Sequence, residues 1–292
     1  MNSEPDTSAA QLPSEFGDYT LHSLCVDHFM LDGGAMFGVV PKPLWERSCP
    51  ADDKNRIAMG CQSLLLKSSQ RVVLIDAGLG DKWDSKSRAI YQIEPGQSLS
   101  PLLQALQTAS VGAEEVTDVI VTHLHFDHAG GLTRLDSHGN LVPTFPKARH
   151  WVQAQHLDWA RSPTEKDRGS FPGENIEPLV EADLFALTRG EEELFSGVGV
   201  LPLFGHTKAM QAVMLHGPQN LFYPADLLPM APHLHLPFIM AYDIEPLTTL
   251  EEKKRILAQA HKEEWLLYLE HEPTETFGRV EMFGGKYRLG KA

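Results

Sequence analysis

Four short apolar runs in this chain end on a histidine or an aspartate. VIVT (119–122) runs into His123, VLPLF (200–204) into Gly205-His206, LFYPA (221–225) into Asp226 and WLLYLE (265–270) into His271. Short runs of β-branched and large apolar residues bounded by turn formers read as buried strands. Side chains placed just past strand ends gather at one rim of a sheet, where sites are commonly built. Four unrelated segments with this property point to a sheet-based architecture with one functional edge.

The rest of the chain fits around such a sheet. CQSLLLK (61–67) and RVVLID (71–76) read as paired strands joined by a Ser68-Ser69-Gln70 turn. Leu99 to Ala109 has helical spacing, with Leu102, Leu103 and Leu106 on one face. Thr248 and Glu251 form a T-x-x-E pattern at the head of a helix reaching about Lys262. Phe277 to Leu289 reads as a hairpin turning at Gly284-Gly285. Residues 158–178 lack strand periodicity and are rich in turn formers, the mark of an active-site cover. The expected organisation is a flexible tail over 1–18 and a single domain over 19–292.

The densest chemical signal is Thr122-His123-Leu124-His125-Phe126-Asp127-His128-Ala129-Gly130-Gly131. A lone histidine is usually a surface or satisfied core residue. Three histidines and an aspartate on one tight loop offer up to four ligands, and imidazole with carboxylate suits zinc. Cys25, Cys49 and Cys61 are an odd, widely spaced set that suggests neither a disulfide framework nor a Cys-rich zinc site.

This stretch resembles the H-x-H-x-D-H signature of the metallo-β-lactamase superfamily. The family's other positions are matched in order by His206 in Gly-His-Thr, by Asp226 after a strand and by His271 at the end of a late strand. Asp76 in Val-Leu-Ile-Asp-Ala-Gly matches its early strand-end aspartate. The resemblance implies an α+β fold, the four-layer αββα sandwich of two mixed sheets with helices on both outer faces. It implies that His123, His125 and His206 hold one divalent metal ion and Asp127, His128 and His271 a second, with Asp226 bridging. Zinc is the expected metal, and iron, manganese and cobalt suit the same donors. It further implies hydrolysis by a hydroxide bridging the two ions, with Asp127 and Asp226 as the catalytic carboxylates and Asp76 fixing the motif loop by hydrogen bonds. No G-x-S-x-G nucleophile motif is present.

Within the family the chain is most similar to the N-acyl-homoserine-lactone lactonase branch, the quorum-quenching enzymes. Asp32 to Lys42 (DGGAMFGVVPK) resembles a lactonase stretch near the pocket, which places Met36 and Phe37 as an apolar wall. Phe171, Tyr223 and His235 are further pocket candidates. His233 and His235 lack the Asp-His continuation and read as pocket-wall or loop residues; His138, His150 and His156 read as surface or helix histidines. The chain departs from the best-described lactonases in one respect. They carry a tyrosine a few residues past the bridging aspartate, whereas Leu227-Leu228-Pro229-Met230 follows Asp226 here. Tyr223 and Tyr242 are the candidates to replace it. Another carboxylic ester or a phosphotriester is the alternative substrate, and an iron-dependent oxidoreductase or a non-catalytic binding protein are the remaining readings.

Composition narrows the partners. Twenty-five basic against 39 acidic residues give a formal charge of −14 with no basic run, a poor match to a phosphate backbone. No stretch reaches the ~20 apolar residues that span a bilayer, and the N-terminus lacks the pattern of a secretory signal. The expectation is a cytoplasmic enzyme acting on a small molecule, without nucleic acid or membrane as partner, and with a homodimer left open.

Overall fold

The computed structural model describes residues 12–94, 100–274 and 276–291. The expected tail over 1–18 lies outside the described residues for its first eleven positions, and Leu99, the expected start of a helix, lies outside them too.

Along the chain come β1 (Glu15–Phe16), β2 (Tyr19–Asp32), β3 (Arg56–Lys67), β4 (Val72–Ile75) and β5 (Asp118–Ile120), then a small hairpin of β6 (Thr133–Leu135) and β7 (Leu141–Pro143), then β8 (Arg149–Gln153) and β9 (Phe185–Thr188). These form a seven-stranded sheet of order β1-β2-β3-β4-β5-β8-β9, with β6 and β7 paired separately. The second half supplies β10 (Glu192–Phe195), β11 (Val198–Leu203), β12 (Met210–Leu215), β13 (Leu221–Tyr223), β14 (Leu266–Tyr268), β15 (Phe277–Phe283) and β16 (Lys286–Gly290), a second seven-stranded sheet in chain order. Both are mixed: β4, β5, β8 and β9 run parallel in one, β13 and β14 in the other.

Alternation along β3 shows how the layers stack. Leu64 and Leu66 join Val73, Ile75 and Ile120 against Val213, Phe222 and Leu267 of the second sheet. Leu65, pointing the other way, joins Leu74 and Val119 beneath Leu102 and Leu106 of the helix Pro101–Thr108. The helix Pro246–Lys262 buries Ile256, Leu257 and Ala260 on the second sheet. Each fully buried Leu or Ile side chain stabilises the fold by about 1.5–3 kcal/mol before chain entropy is counted. The result is the αββα sandwich expected from the sequence.

That long helix departs from the expected start. It begins at Pro246, whose fixed φ suits a first turn, and Thr249 N–H donates to the Glu245 carbonyl at 3.0 Å. The T-x-x-E pattern therefore lies inside the helix and caps nothing; Glu251 pairs with Lys254 at 2.8 Å instead. The hairpin at Gly284-Gly285 is as expected, both glycines having positive φ. The three thiols are unpaired, Cys49 and Cys61 buried and Cys25 exposed. No helix among the described residues is long and apolar enough to cross a membrane.

Topology gathers the strand ends. β13 and β14 are parallel, and β11, two antiparallel steps from β13, runs the same way. The residues that follow all three, His206, Asp226 and His271, therefore leave one edge of their sheet. They meet there with Asp76 and His123, which follow the parallel pair β4 and β5.

Candidate metal centre

The motif loop is held in place by backbone proximity. Gly130 and Gly131 lie against the carbonyls of Leu79 and Ala77, so closely that an added Cβ would overlap either oxygen. Ala77 N–H donates to the His128 carbonyl at 2.8 Å. Asp76 and Ala225 sit at positive φ (56° and 48°), and such non-glycine strain is concentrated where surrounding structure imposes it. At Asp76 it accompanies a carboxylate that accepts the Thr122 N–H at 2.7 Å and the Thr122 hydroxyl at 2.6 Å.

Seven expected side chains converge, all buried. His123, His125, His206 and Asp226 form one group, and Asp127, His128 and His271 a second; in each, one donor atom per residue lies within 4.8 Å of the others. Asp226 spans the two. Its Oδ2 is 3.1 Å from His206 Nε2 and 3.8 Å from His123 Nε2, while its Oδ1 is 3.1 Å from His271 Nε2 and 3.7 Å from His128 Nε2. Asp127 faces His128 and His271 at 3.9 and 3.8 Å.

The far nitrogens of the rings are occupied, which fixes what the near ones present. His206 Nδ1 is 2.9 Å from Asp243, His271 Nδ1 is 2.8 Å from the Gly60 carbonyl, and His128 Nδ1 is 3.1 Å from Asp76 and 3.0 Å from Glu270. In the neutral rings each Nδ1 is thus the donor and each Nε2 carries a lone pair. In two of these rings the lone pairs face each other, His271 Nε2 and His128 Nε2 across 3.2 Å, while His206 Nε2 lies 3.1 Å from His125 Nδ1. Facing lone pairs repel unless a cation lies among them. Among the described residues, the buried His123 Nε2 has no hydrogen-bond partner. This donor set fits two divalent metal ions.

The electrostatics show how strongly the carboxylates draw positive charge into the site, where a proton competes with a metal ion for the same nitrogens. Burial, then the neighbouring imidazoles, push His123 and His125 well below the usual histidine range. At His206 and His271 burial also disfavours charge, but Asp226 together with Asp243 beside His206 and Glu270 beside His271 outweighs it and lifts each to about 9. Burial holds the Glu270 carboxyl above the usual range.

Three supporting residues escaped sequence reasoning. Asp243 has no local motif. Glu270 ends the apolar run before His271, a position that could have drawn notice. His156, expected as a surface or helix residue, is on the helix Ala154–Arg161 but fully buried. Its Nε2 accepts the Leu124 N–H at 2.8 Å and its Nδ1 donates to the Lys208 carbonyl at 2.7 Å, tying the motif loop to the loop of His206. His150 is also buried, whereas His138 is exposed in a turn.

The centre opens into a cavity of about 240 Å3 with Met36, Met59 and Met240 among its walls and Tyr91 and Tyr242 at its side. Of the expected pocket residues, Met36 lines it. Phe171 packs on His125 with ring centroids 4.7 Å apart. Phe37 lies in the core between Trp45 and His233, stacked at 5.2 and 4.8 Å. Tyr223 is buried against Tyr268, its hydroxyl donating to the Gln62 carbonyl at 3.1 Å. His235 packs on Phe238, outside the cavity lining. His233 is core as well, its Nε2 2.9 Å from the Met36 carbonyl. From the expected cover, Lys166, Asp167, Gly169 and Ser170 line the cavity. Trp159 anchors that segment through its indole N–H to Asp167 at 2.8 Å, and Lys166 crosses to the carbonyls of Ala241, Tyr242 and Asp243 at 3.0–3.3 Å.

The chain is similar to known proteins in sequence and in fold. A sequence profile described as the metallo-beta-lactamase superfamily matches residues 56–271. Probable metallo-hydrolases of Mycobacterium bovis and Mycobacterium tuberculosis are each 26% identical over 203 residues, 61% of this chain and 62% of theirs. The chain thus matches less than two thirds of the length of these curated relatives. Among solved structures, a probable metal-dependent hydrolase from Staphylococcus aureus is similar with a TM-score of 0.83 at 24% identity, covering 95% of this chain and 99% of that one. AidC, a dizinc quorum-quenching lactonase in complex with a product, is similar with a TM-score of 0.77 at 18% identity, covering 95% and 96%. At these identities the structural likeness shows the fold.

Proposed function

The chain belongs to the metallo-β-lactamase superfamily, and from that premise we propose that it is a hydrolase working with two divalent metal ions, zinc by the chemistry of its donors. The observation that carries this reading is Asp226, whose two carboxylate oxygens each face a different set of imidazoles. His123, His125 and His206 hold one ion, and Asp127, His128 and His271 the other. When bound, such a pair supplies a nucleophilic water at neutral pH and polarises the scissile oxygen.

The protein's own residues do the rest. Asp243, Glu270 and Asp76 keep the imidazole lone pairs turned inward. Asp127 lines the cavity and moves a proton to the leaving oxygen. Tyr242 and Tyr91, both on the cavity wall, offer hydroxyls to a substrate carbonyl, a task Tyr223 has no access to. The segment within 158–178 covers the site and keeps bulk water out.

A lactone, such as an N-acyl-homoserine lactone, is the proposed substrate. The methionine-lined cavity suits an apolar acyl group, and a lactonase shares the fold. Another carboxylic ester or a phosphotriester is the second reading, favoured by the absence of a tyrosine directly after Asp226. Assay of one metal-replete preparation on a homoserine lactone, an aryl ester and a phosphotriester tests both. Lactone turnover in excess supports the first reading, turnover of the other two alone replaces it with the second, and failure on all three removes the proposal.

A further inference from the structure

A groove of about 620 Å3 adjoins the metal cavity, with Leu31, Tyr91 and Tyr242 in the walls of both. Its inner stretch is apolar, with Met30 on β2 and Ile90 at the end of the helix Ser85–Tyr91. Ile90 is 49% and Tyr242 36% exposed, apolar surface left open beside a reactive centre.

The outer end differs in kind. Lys54, Arg56 and Lys86 line it. Arg56 is committed: Asp52 answers its charge at 2.7 Å, and the Ile90 carbonyl accepts from it at 2.9 Å, which also fixes the groove wall. Lys54 and Lys86 have no ion-pair partner among the described residues. Two carboxylates lie nearby: Asp32, which also lines the groove, and Asp84, whose charge partly answers that of Lys86. Asp32 accepts from Ala35 N–H and the Asn55 amide, and Asp84 from Ser87. Arg88, one turn beyond Asp84, donates to the backbone carbonyls of Trp83, Asp81 and Glu94, and its charge acts on the Asp27 carboxylate. The lining thus sets Lys54, Arg56 and Lys86 against the single carboxylate of Asp32, a locally basic mouth in a chain of net charge −14. The long lysine stems extend the apolar wall while their ammonium groups stay in water.

We propose that the groove receives an apolar arm of the substrate and that Lys54 and Lys86 bind an anionic group at the far end of that arm. The preferred substrate is then an ester or lactone whose apolar arm ends in a carboxylate or similar anion. This rests on the hydrolase reading above, and the closing experiment separates the two.

The experiment compares three aryl esters on the metal-replete protein: a short acetate, an ester with a neutral straight-chain acyl arm, and one of equal length ending in a carboxylate. The anionic arm is expected to raise kcat/KM over the neutral arm roughly 3- to 10-fold at low ionic strength, an advantage that fades with added salt. The double substitution Lys54→Glu with Lys86→Glu is expected to reverse that preference, leaving acetate turnover and metal content unchanged. Equal kcat/KM for the two arms, or a preference that the double variant retains, overturns the proposal while acetate turnover preserves the hydrolase. No turnover of any of the three removes the hydrolase reading and this proposal with it.

Discussion

The Asp243 carboxylate lies 2.9 Å from Nδ1 of His206, and both groups are buried. This contact sets the ring so that Nε2 faces His125 and Asp226. Asp243→Asn keeps the shape and removes the charge. It is expected to weaken metal binding by about 10- to 100-fold, with the far-UV spectrum unchanged. Competition with a chelator measures this; an unchanged release profile would assign Asp243 to packing alone.

Two tyrosines that look alike in sequence should separate cleanly. Tyr242→Phe is expected to lower kcat/KM by up to roughly 10-fold, the worth of one hydrogen bond, at unchanged metal content. Tyr223→Phe leaves the buried Gln62 carbonyl unpaired and should lower stability by about 1–3 kcal/mol while turnover holds. Paired kinetics and denaturant titrations check this, and the reverse outcome would move the carbonyl donor to Tyr223.

Gly130→Ala forces a Cβ against the Leu79 carbonyl, backbone on backbone. The motif loop must shift, at a cost of about 1–3 kcal/mol, and metal content should fall with it. Full metal retention would show the loop to be more adaptable than its packing implies.

Acid should unfold the protein earlier than its carboxylates alone require. Burial pulls His150 and His156 down to about 4 and His233 to about 3. Below about pH 6.5 the unfolded chain takes up protons at these positions that the fold refuses, so stability falls as pH drops from about 6.5 toward 4. Denaturant midpoints across that range, compared with His150→Leu, test it. The variant should show a shallower slope; an identical slope would exclude His150 as a contributor.

Much of this centre was legible because it follows from short-range pattern. A run such as VIVT has one way to be buried, and the residue after it must emerge at the sheet edge. His123, His206, Asp226 and His271 therefore group from sequence pattern alone. Asp243 and Glu270 could not be assigned a role, because their contacts depend on loop closure and on which strand end lies beside which. The role of His156, rightly allowed a place on a helix, was hidden for the same reason: a helical histidine becomes a buried brace only when two distant loops pack on its two nitrogens. Phe37 and Tyr223 were drawn toward the pocket by adjacency in sequence. Strand alternation and stacking sent them instead into the core. The T-x-x-E pattern failed because Pro246 starts the helix sooner.

The central claim is a two-metal centre bridged by Asp226, and metal content per chain tests it most directly. Elemental mass spectrometry of the protein purified with divalent metal present should find about two ions per chain. In Asp226→Ala, with folding verified by circular dichroism, it should fall below about one. One ion or none in the wild-type protein, or an unchanged content in Asp226→Ala, would contradict the account.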